Sequence, residues 1–289
     1  MIIKILIPVY NDWQSVSKLI DEIDKLNLNQ ENNISIIIVN DSSSHDRQEE
    51  NKDYNNIHSI KILNMKINQG HTRCIATGLK YIFEKEKFDY VIPMDGDGED
   101  RPEEIQNFID LAEKSKDQSI VGERVKRSEG LIFKMCYQFH KFLTYVFTGH
   151  SIKFGNFTCL SKSTVKKMLD EKATWNSFSG SLKKSEINLL SIPSIRGKRY
   201  TGPSQMSFFN LLKHSLSIIS VFRKTVLVRS TLFIIFYILL IKSYASVITS
   251  IPLVLLLIMI YSISSLALRE NIEEFNNALT NIHDIDKVK

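Results

Sequence analysis

The chain has 289 residues, 43% of them hydrophobic and 24% charged, and carries a net charge of +5. That is an ordinary globular composition, long enough for one large domain or two small ones and too weakly basic to point to nucleic acid. Three cysteines, Cys74, Cys136 and Cys159, with no C-x-x-C pair suggest neither a disulfide framework nor a zinc site.

The first apolar run, "IIKILIPVY", is too short for a signal peptide and is interrupted by Lys4 and Pro8, so it predicts a buried strand. "WQSVSKLIDEIDKL" then places Val16, Leu19, Ile20, Ile23 and Leu26 at helical spacing. "NISIIIVND" and "SIKILNM" read as a second and a third strand, and "GHTRCIATGLKYIFEK" as a helix. "FDYVIPMD" is a fourth strand. "RPEEIQNFIDLAEKS" is a helix with Pro102 near its start and acids in its first turn, and "SIVGER" is a fifth strand. Such alternation argues for an α/β fold, a mostly parallel sheet with helices on both faces. Ligands of these sheets bind at the carboxyl ends of the strands. Residues 127–150 form a basic, aromatic helical stretch, 152–165 a turn into a short strand and a helix start, and 192–206 a basic, turn-rich segment.

From residue 207 the character changes. "SFFNLLKHSLSIISVFRK" is an amphipathic helix that suits a membrane interface, or equally a helix docked on the domain. Residues 225–241 and 245–268 are almost uncharged and are joined only by "KSY". The second is long enough to span a bilayer, and the pair reads as a transmembrane hairpin. Arg229 must snorkel or mark the true start of the first span. Arg223, Lys224 and Arg269 flank the hairpin and place both its ends in the cytoplasm. The alternative, a buried core hairpin, fits poorly with so long an uncharged segment. The expected organisation is a sheet domain over 1–205, an interface helix over 206–224, a hairpin over 225–268 and a tail over 269–289 that forms a short cytoplasmic helix.

The fourth strand ends in "MDGDGED", where Asp95, Asp97, Glu99 and Asp100 crowd together. Like charges repel, and a divalent cation shared with a substrate diphosphate would explain the cluster. Gly96 would leave room for close backbone approach. The other strand ends are polar too: Pro8, Tyr10, Asn11 and Asp12 follow the first, Asn40 and Asp41 the second, and Asn68 and Gly70 the third. A strand-end carboxylate can accept from a ribose or a base; a capped turn is the plain alternative. His71 and Arg73 are unusual in the "NQGH" turn; they read as helix-capping residues, with a reach to the donor as the alternative. His140, His150 and His214 have no metal-ligand spacing.

"IPVYND", "VNDSS", "NQGHTRCIATGL" and "MDGDGEDRPEEI" occur in the order and at the spacing of the family 2 glycosyltransferases of GT-A, Rossmann-like fold. The continuation resembles the polyprenyl-phosphate glycosyltransferases, dolichyl-phosphate mannose synthase among them. It carries a Gly-x-Arg at Gly122–Arg124, "GNFTCL" where that group has Gly-Asp-Phe-Arg-Leu, and "KRYTGPSQM" where it has a basic segment ending Gly-Glu-Ser-Lys. Asn40, Asn156, Thr158 and Gln205 depart from that pattern, and the last three losses of charge fall near the acceptor.

The resemblance implies a nucleotide diphosphate sugar donor, a polyprenyl phosphate acceptor, and Mg²⁺ or Mn²⁺ held by Asp95 and Asp97. The donor would lie on Pro8, Tyr10, Asn11, Asp12, Asp41, Asn68, Gly70, Asp95 and Gly96. The acceptor phosphate would lie on Arg124, Arg127, Arg199 and Ser204, since guanidinium forks suit phosphate oxygens. Asp95, Asp97, Asp100 and Arg124 form the expected catalytic set. A phosphate acceptor needs no general base; a hydroxyl acceptor would need one, with Asp100 or Glu99 in reach. The resemblance also implies a multi-pass protein of the inner cell membrane with its catalytic domain in the cytoplasm, in contact with membrane lipid and compatible with a homo-oligomer. Three other readings stand beside it. One is transfer directly to a polysaccharide or a lipid-linked oligosaccharide. Another is an inactive membrane-anchored scaffold, disfavoured because both Asp95 and Asp97 are present. The last is a nucleotidyltransferase, disfavoured because "PVYNDWQ" lacks a Gly-rich basic loop.

Overall fold

Strands β1 (Ile2–Val9), β2 (Asn33–Asn40), β3 (Ser59–Met65), β4 (Tyr90–Pro93), β5 (Ser119–Lys126), β6 (Phe154–Ser161), β7 (Leu189–Ile195) and β8 (Ile282–Lys287) make one sheet. Their spatial order is β7-β5-β6-β4-β1-β2-β3-β8. The structure is a computed structural model and describes residues 1–26, 31–45, 47, 52–126, 131–185, 188–202 and 208–289. β1 runs parallel to β2 and β4, β2 to β3, and β5 to β7; β6 and the edge strand β8 run antiparallel to their neighbours. The helices are α1 (Trp13–Asp24), α2 (His71–Lys85), α3 (Ile105–Lys114), α4 (Leu131–Thr148), α5 (Lys162–Asp170), α6 (Phe178–Lys184), α7 (Phe208–Ser220), α8 (Arg223–Ile241), α9 (Val247–Ala267) and α10 (Ile272–Asn276).

The predominantly apolar runs of β1 and β2 follow from burial on both faces. Successive strand residues point to opposite sides. Ile3, Ile5 and Ile7 therefore join Ile34, Ile36 and Ile38 under Val16, Leu19 and Ile23 of α1 and Phe108 of α3. Leu6, Ile37, Val39 and Leu63 face the other way, under Ile75, Leu79 and Ile82 of α2. The expected α/β class with a mostly parallel sheet is what the chain forms.

Two segments differ from the sequence reading. Part of the turn-rich segment 192–206 belongs to β7, which carries Pro193. Proline cannot donate to a ladder, but β7 is an edge strand, where it is tolerated. The tail forms more than a short helix: after the five residues of α10 and a 3₁₀ turn, β8 pairs antiparallel with β3. It covers an edge that would otherwise offer unpaired backbone groups. The chain thus leaves the sheet domain through α7, runs out along α8, turns at 242–246 and returns along α9 to the same sheet.

α8 and α9 are each long and apolar enough to cross a membrane. Phe147 of α4, Ile219 of α7, Val226 of α8, and Leu256 and Ile263 of α9 close one apolar cluster where the hairpin meets the sheet domain. Beyond it the hairpin is not a buried core: Leu232, Phe236, Leu240, Leu255 and Ile258 are exposed. Arg229 has a definite task. Its Nη1 donates to the carbonyls of Tyr145 (3.2 Å) and Val146 (2.9 Å) in the last turn of α4.

Candidate active site

The carboxyl ends of β1 and β4 lie side by side, because Leu6 pairs with Pro93 and Met94 N–H donates to the Leu6 carbonyl at 3.0 Å. The loop after β4 carries the acids. The segment 196–202 lies across it like a strap. Gly197 N–H donates to the Glu99 carbonyl and Tyr200 N–H to that of Asp97, both at 2.8 Å. Gly98 has φ +86°, and a Cβ there would stand 2.6 Å from the Tyr200 ring, so both the turn and the close approach require glycine. Arg196 pairs with Glu99. Arg199 pairs with Asp97 and, at 3.1 Å, with Asp12. Thr201 donates to Asp12 (3.1 Å) and shares a hydrogen bond with Ser15 (2.6 Å).

Asp95 faces a different set. His71 Nε2 lies 3.2 Å from its Oδ1, and Asn156 Nδ2, on β6, lies 2.8 Å from His71 Nε2 and 3.5 Å from the same Oδ1. Asp100 is buried, and its Oδ2 accepts the Asp95 N–H at 2.9 Å. Its burial, and next the Asp95 charge, push its pKa up to about 7 against the pull of Arg124. Burial also works to raise Asp95, but the His71 hydrogen bond and charge, with Arg196 and Arg124, outweigh it and hold Asp95 well below the usual carboxylate range. Burial, then the Asp95 charge, raises Asp97. Arg124 passes over Gly155, where a Cβ would stand 2.6 Å from its Nη2.

Asp95, Asp97, Asp100, Asp12, Arg124 and Arg199 therefore come together. Other sequence-predicted residues do local work. Asn11 adopts φ +56°, and its Oδ1 accepts from the N–H groups of Ser44 (2.8 Å) and His45 (3.2 Å), tying the loop after β2 to the end of β1. Asp41 is buried and accepts from Gln69 N–H (2.7 Å) and Gly70 N–H (2.9 Å), fixing the turn into α2. At Gly96 a Cβ would meet Val16 Cγ2 at 2.8 Å and Ile7 Cγ2 at 3.2 Å, so the absence of a side chain serves the packing of α1. Pro8 is buried in β1, while Tyr10 and Asn68 are exposed at the rim. Arg127 and Ser204 lie outside the described residues. Arg199, expected at an acceptor phosphate, pairs with the carboxylates of Asp97 and Asp12. His71, read as a capping residue, and Asn156, read only as a lost charge, reach Asp95. Both stand at departures from the usual pattern, and that was the available signal.

A hard divalent cation fits the donor set, since Asp95 and Asp97 offer carboxylate oxygens two residues apart. Among the described residues no three His, Cys, Asp or Glu side chains converge on one point. Oxygens from a bound diphosphate and water would have to complete the shell.

Among solved structures, S. aureus TarS (residues 1–349, with UDP-GlcNAc) superposes with a TM-score of 0.51 at 12% identity, over 97% of this chain and 89% of that one. Glucosyl-3-phosphoglycerate synthase from Mycobacterium tuberculosis, in complex with Mn²⁺, UDP-glucose and phosphoglyceric acid, gives 0.52 at 10% identity, over 78% and 79%. These likenesses define the fold class as GT-A. Residues 4–175 match the model of glycosyl transferase family 2, and the chain belongs to that family. It is 27% identical over 172 residues to undecaprenyl-phosphate 4-deoxy-4-formamido-L-arabinose transferase of Proteus mirabilis, covering 58% of this chain and 50% of that protein. The Klebsiella pneumoniae enzyme of the same name is 24% identical over 225 residues, 73% of this chain and 64% of that one. The chain thus spans half to just under two thirds of the length of these relatives.

Proposed function

We propose that the protein is a metal-dependent glycosyltransferase that moves a sugar from a nucleotide diphosphate sugar to a polyprenyl phosphate at a membrane. The observation that carries this reading is the strap. Residues 196–202 bring two arginines onto the acid cluster, and within a few residues the same chain enters α7 and the apolar hairpin. A soluble acceptor needs no such connection; an acceptor whose tail stays in the bilayer does.

Asp95 and Asp97 would hold Mg²⁺ or Mn²⁺, whose charge supplies neutralisation of the diphosphate leaving group. Asp12 lies beside them, bridged by Arg199, at the place where the donor would enter. With Asp97 engaged by a cation, Arg199 would be free of it and could serve as a guanidinium fork for an anionic acceptor. Arg124, beside Asp95 and Asp100, approaches from the sheet side. An acceptor phosphate is already ionised at neutral pH, so attack at the anomeric carbon needs no proton removed.

The membrane arm of the proposal draws on α4 as well as on the hairpin. α4 packs on α8 through Arg229 and turns Phe139, Phe142, Tyr145 and Val146 outward, a face suited to the headgroup level. The reading places the sheet domain and the tail on the cytoplasmic side of the inner membrane, with the hairpin tip near Lys242 across it. The test is to incubate membranes containing the protein with a panel of radiolabelled nucleotide sugars, with and without polyprenyl phosphate. One donor should label the lipid fraction only when the lipid phosphate is present. Label appearing in polysaccharide without added lipid would favour direct transfer, with Asp100 as the base.

A further inference from the structure

Asp95 has a second set of partners outside the strap. Asp41 accepts two backbone N–H groups of the turn 69–70, and Gly70 takes φ +89°. That turn launches α2, so His71, its first residue, projects over the end of β4. Asn156 arrives from β6, the antiparallel neighbour of β4. His71 and Asn156 contact each other and the same oxygen, Asp95 Oδ1. Among the described residues no hydrogen bond or ion pair engages Oδ2.

We infer that His71 and Asn156 are positioning residues: they hold Asp95 by Oδ1 and so aim Oδ2 at the cation. This role presupposes the cation at Asp95 and Asp97 proposed above. A carboxylate with both oxygens free swings about its terminal torsion, which is broad and roughly two-fold. Tethering one oxygen leaves the other in one place. Groups that orient a metal ligand in this way are typically responsible for ten- to a hundredfold of metal affinity.

The test is Mn²⁺ binding by the detergent-solubilised full chain, followed by the electron paramagnetic resonance signal of free Mn²⁺, with UDP and with GDP. No turnover is needed. His71→Ala should weaken Mn²⁺ binding by about ten- to a hundredfold, with the melting temperature unchanged. His71→Gln, which keeps a donor for Asp95, should recover most of the loss. Asn156→Ala acts from a different element and should weaken Mn²⁺ binding in the same direction, which keeps the test decisive should His71→Ala fold poorly. Binding lost in Asp97→Asn but unchanged in both His71→Ala and Asn156→Ala would overturn the positioning role while leaving the cation reading intact. No Mn²⁺ binding by the wild-type chain beyond that of Asp97→Asn would overturn both.

Discussion

Arg199→Ala separates two accounts of the strap. The guanidinium is shared between Asp97 and Asp12, and the three side chains are only 20%, 16% and 31% exposed. A cation entering at Asp97 must first remove Arg199 from it. A charge-assisted hydrogen bond contributes about 1.5–3 kcal/mol. Losing that competitor should tighten Mn²⁺ binding by about ten- to a hundredfold, because two neighbouring carboxylates are left with no cation of their own. Transfer to polyprenyl phosphate should fall in the same variant, since the fork proposed for the acceptor is gone. Arg199→Lys keeps a point charge but cannot bridge two carboxylates in the same way, so it should lie between. The assay pairs a Mn²⁺ titration in the presence of UDP or GDP with initial rates against polyprenyl phosphate. Mn²⁺ binding that stays equal or weakens in Arg199→Ala would refute the reasoning, because Arg199 would then not stand in the cation's way.

Other tests address the fold and its orientation. Glu86 pairs with Lys4 (3.2 Å) and Lys61 (2.5 Å), and Lys4 and Glu86 are almost fully buried. Glu86→Gln strands the Lys4 charge and should cost about 3–5 kcal/mol, roughly 6–20 °C in the melting temperature. Burial opposes ionisation of Glu86, but the hydrogen bonds from Lys61 and Lys4 prevail and lower its pKa below 4.5. Its stabilisation should therefore be complete above pH 4.5 and disappear as the pH falls through the lower folded value, a pH dependence that Glu86→Gln should lack. Phe275 is buried against Trp175, with ring centroids 5.5 Å apart. Phe275→Ala should cost about 3–5 kcal/mol and make the tail sensitive to limited proteolysis. With Ser243→Cys, an impermeant thiol reagent should label the protein on intact cells; with Lys287→Cys, labelling should require lysis.

The central strands were legible because β1 and β2 are buried on both faces and read as largely apolar runs despite Lys4 and Ser35. β7 and β8 were not. Pro193 argues against a strand unless the strand is known to lie at an edge, and β8 alternates Asp284 and Asp286 with Ile285, a pattern that gives no sign of its distant partner β3. The acid cluster was legible as chemistry, because clustered carboxylates at a strand end need a counter-charge. What each polar residue does there depended on partners far along the chain. Asn11 is matched to residues 44–45, Asp41 to 69–70, and Arg199 to Asp97 and Asp12, 102 and 187 positions earlier. The tail showed the same limit. Glu274 meets Arg73 (3.1 Å) and the Trp175 indole N–H (2.9 Å), a junction of three separate stretches that no local pattern encodes.

The product of the reaction is the most direct test of lipid-phosphate glycosylation. Purified protein in detergent should be given the donor identified from the panel, Mn²⁺ and undecaprenyl phosphate, and the lipid extract examined by mass spectrometry. The predicted result is a sugar linked through the lipid phosphate, absent when EDTA is present and absent in Asp97→Asn. Sugar found on a hydroxyl acceptor instead, or full transfer in EDTA, would contradict it.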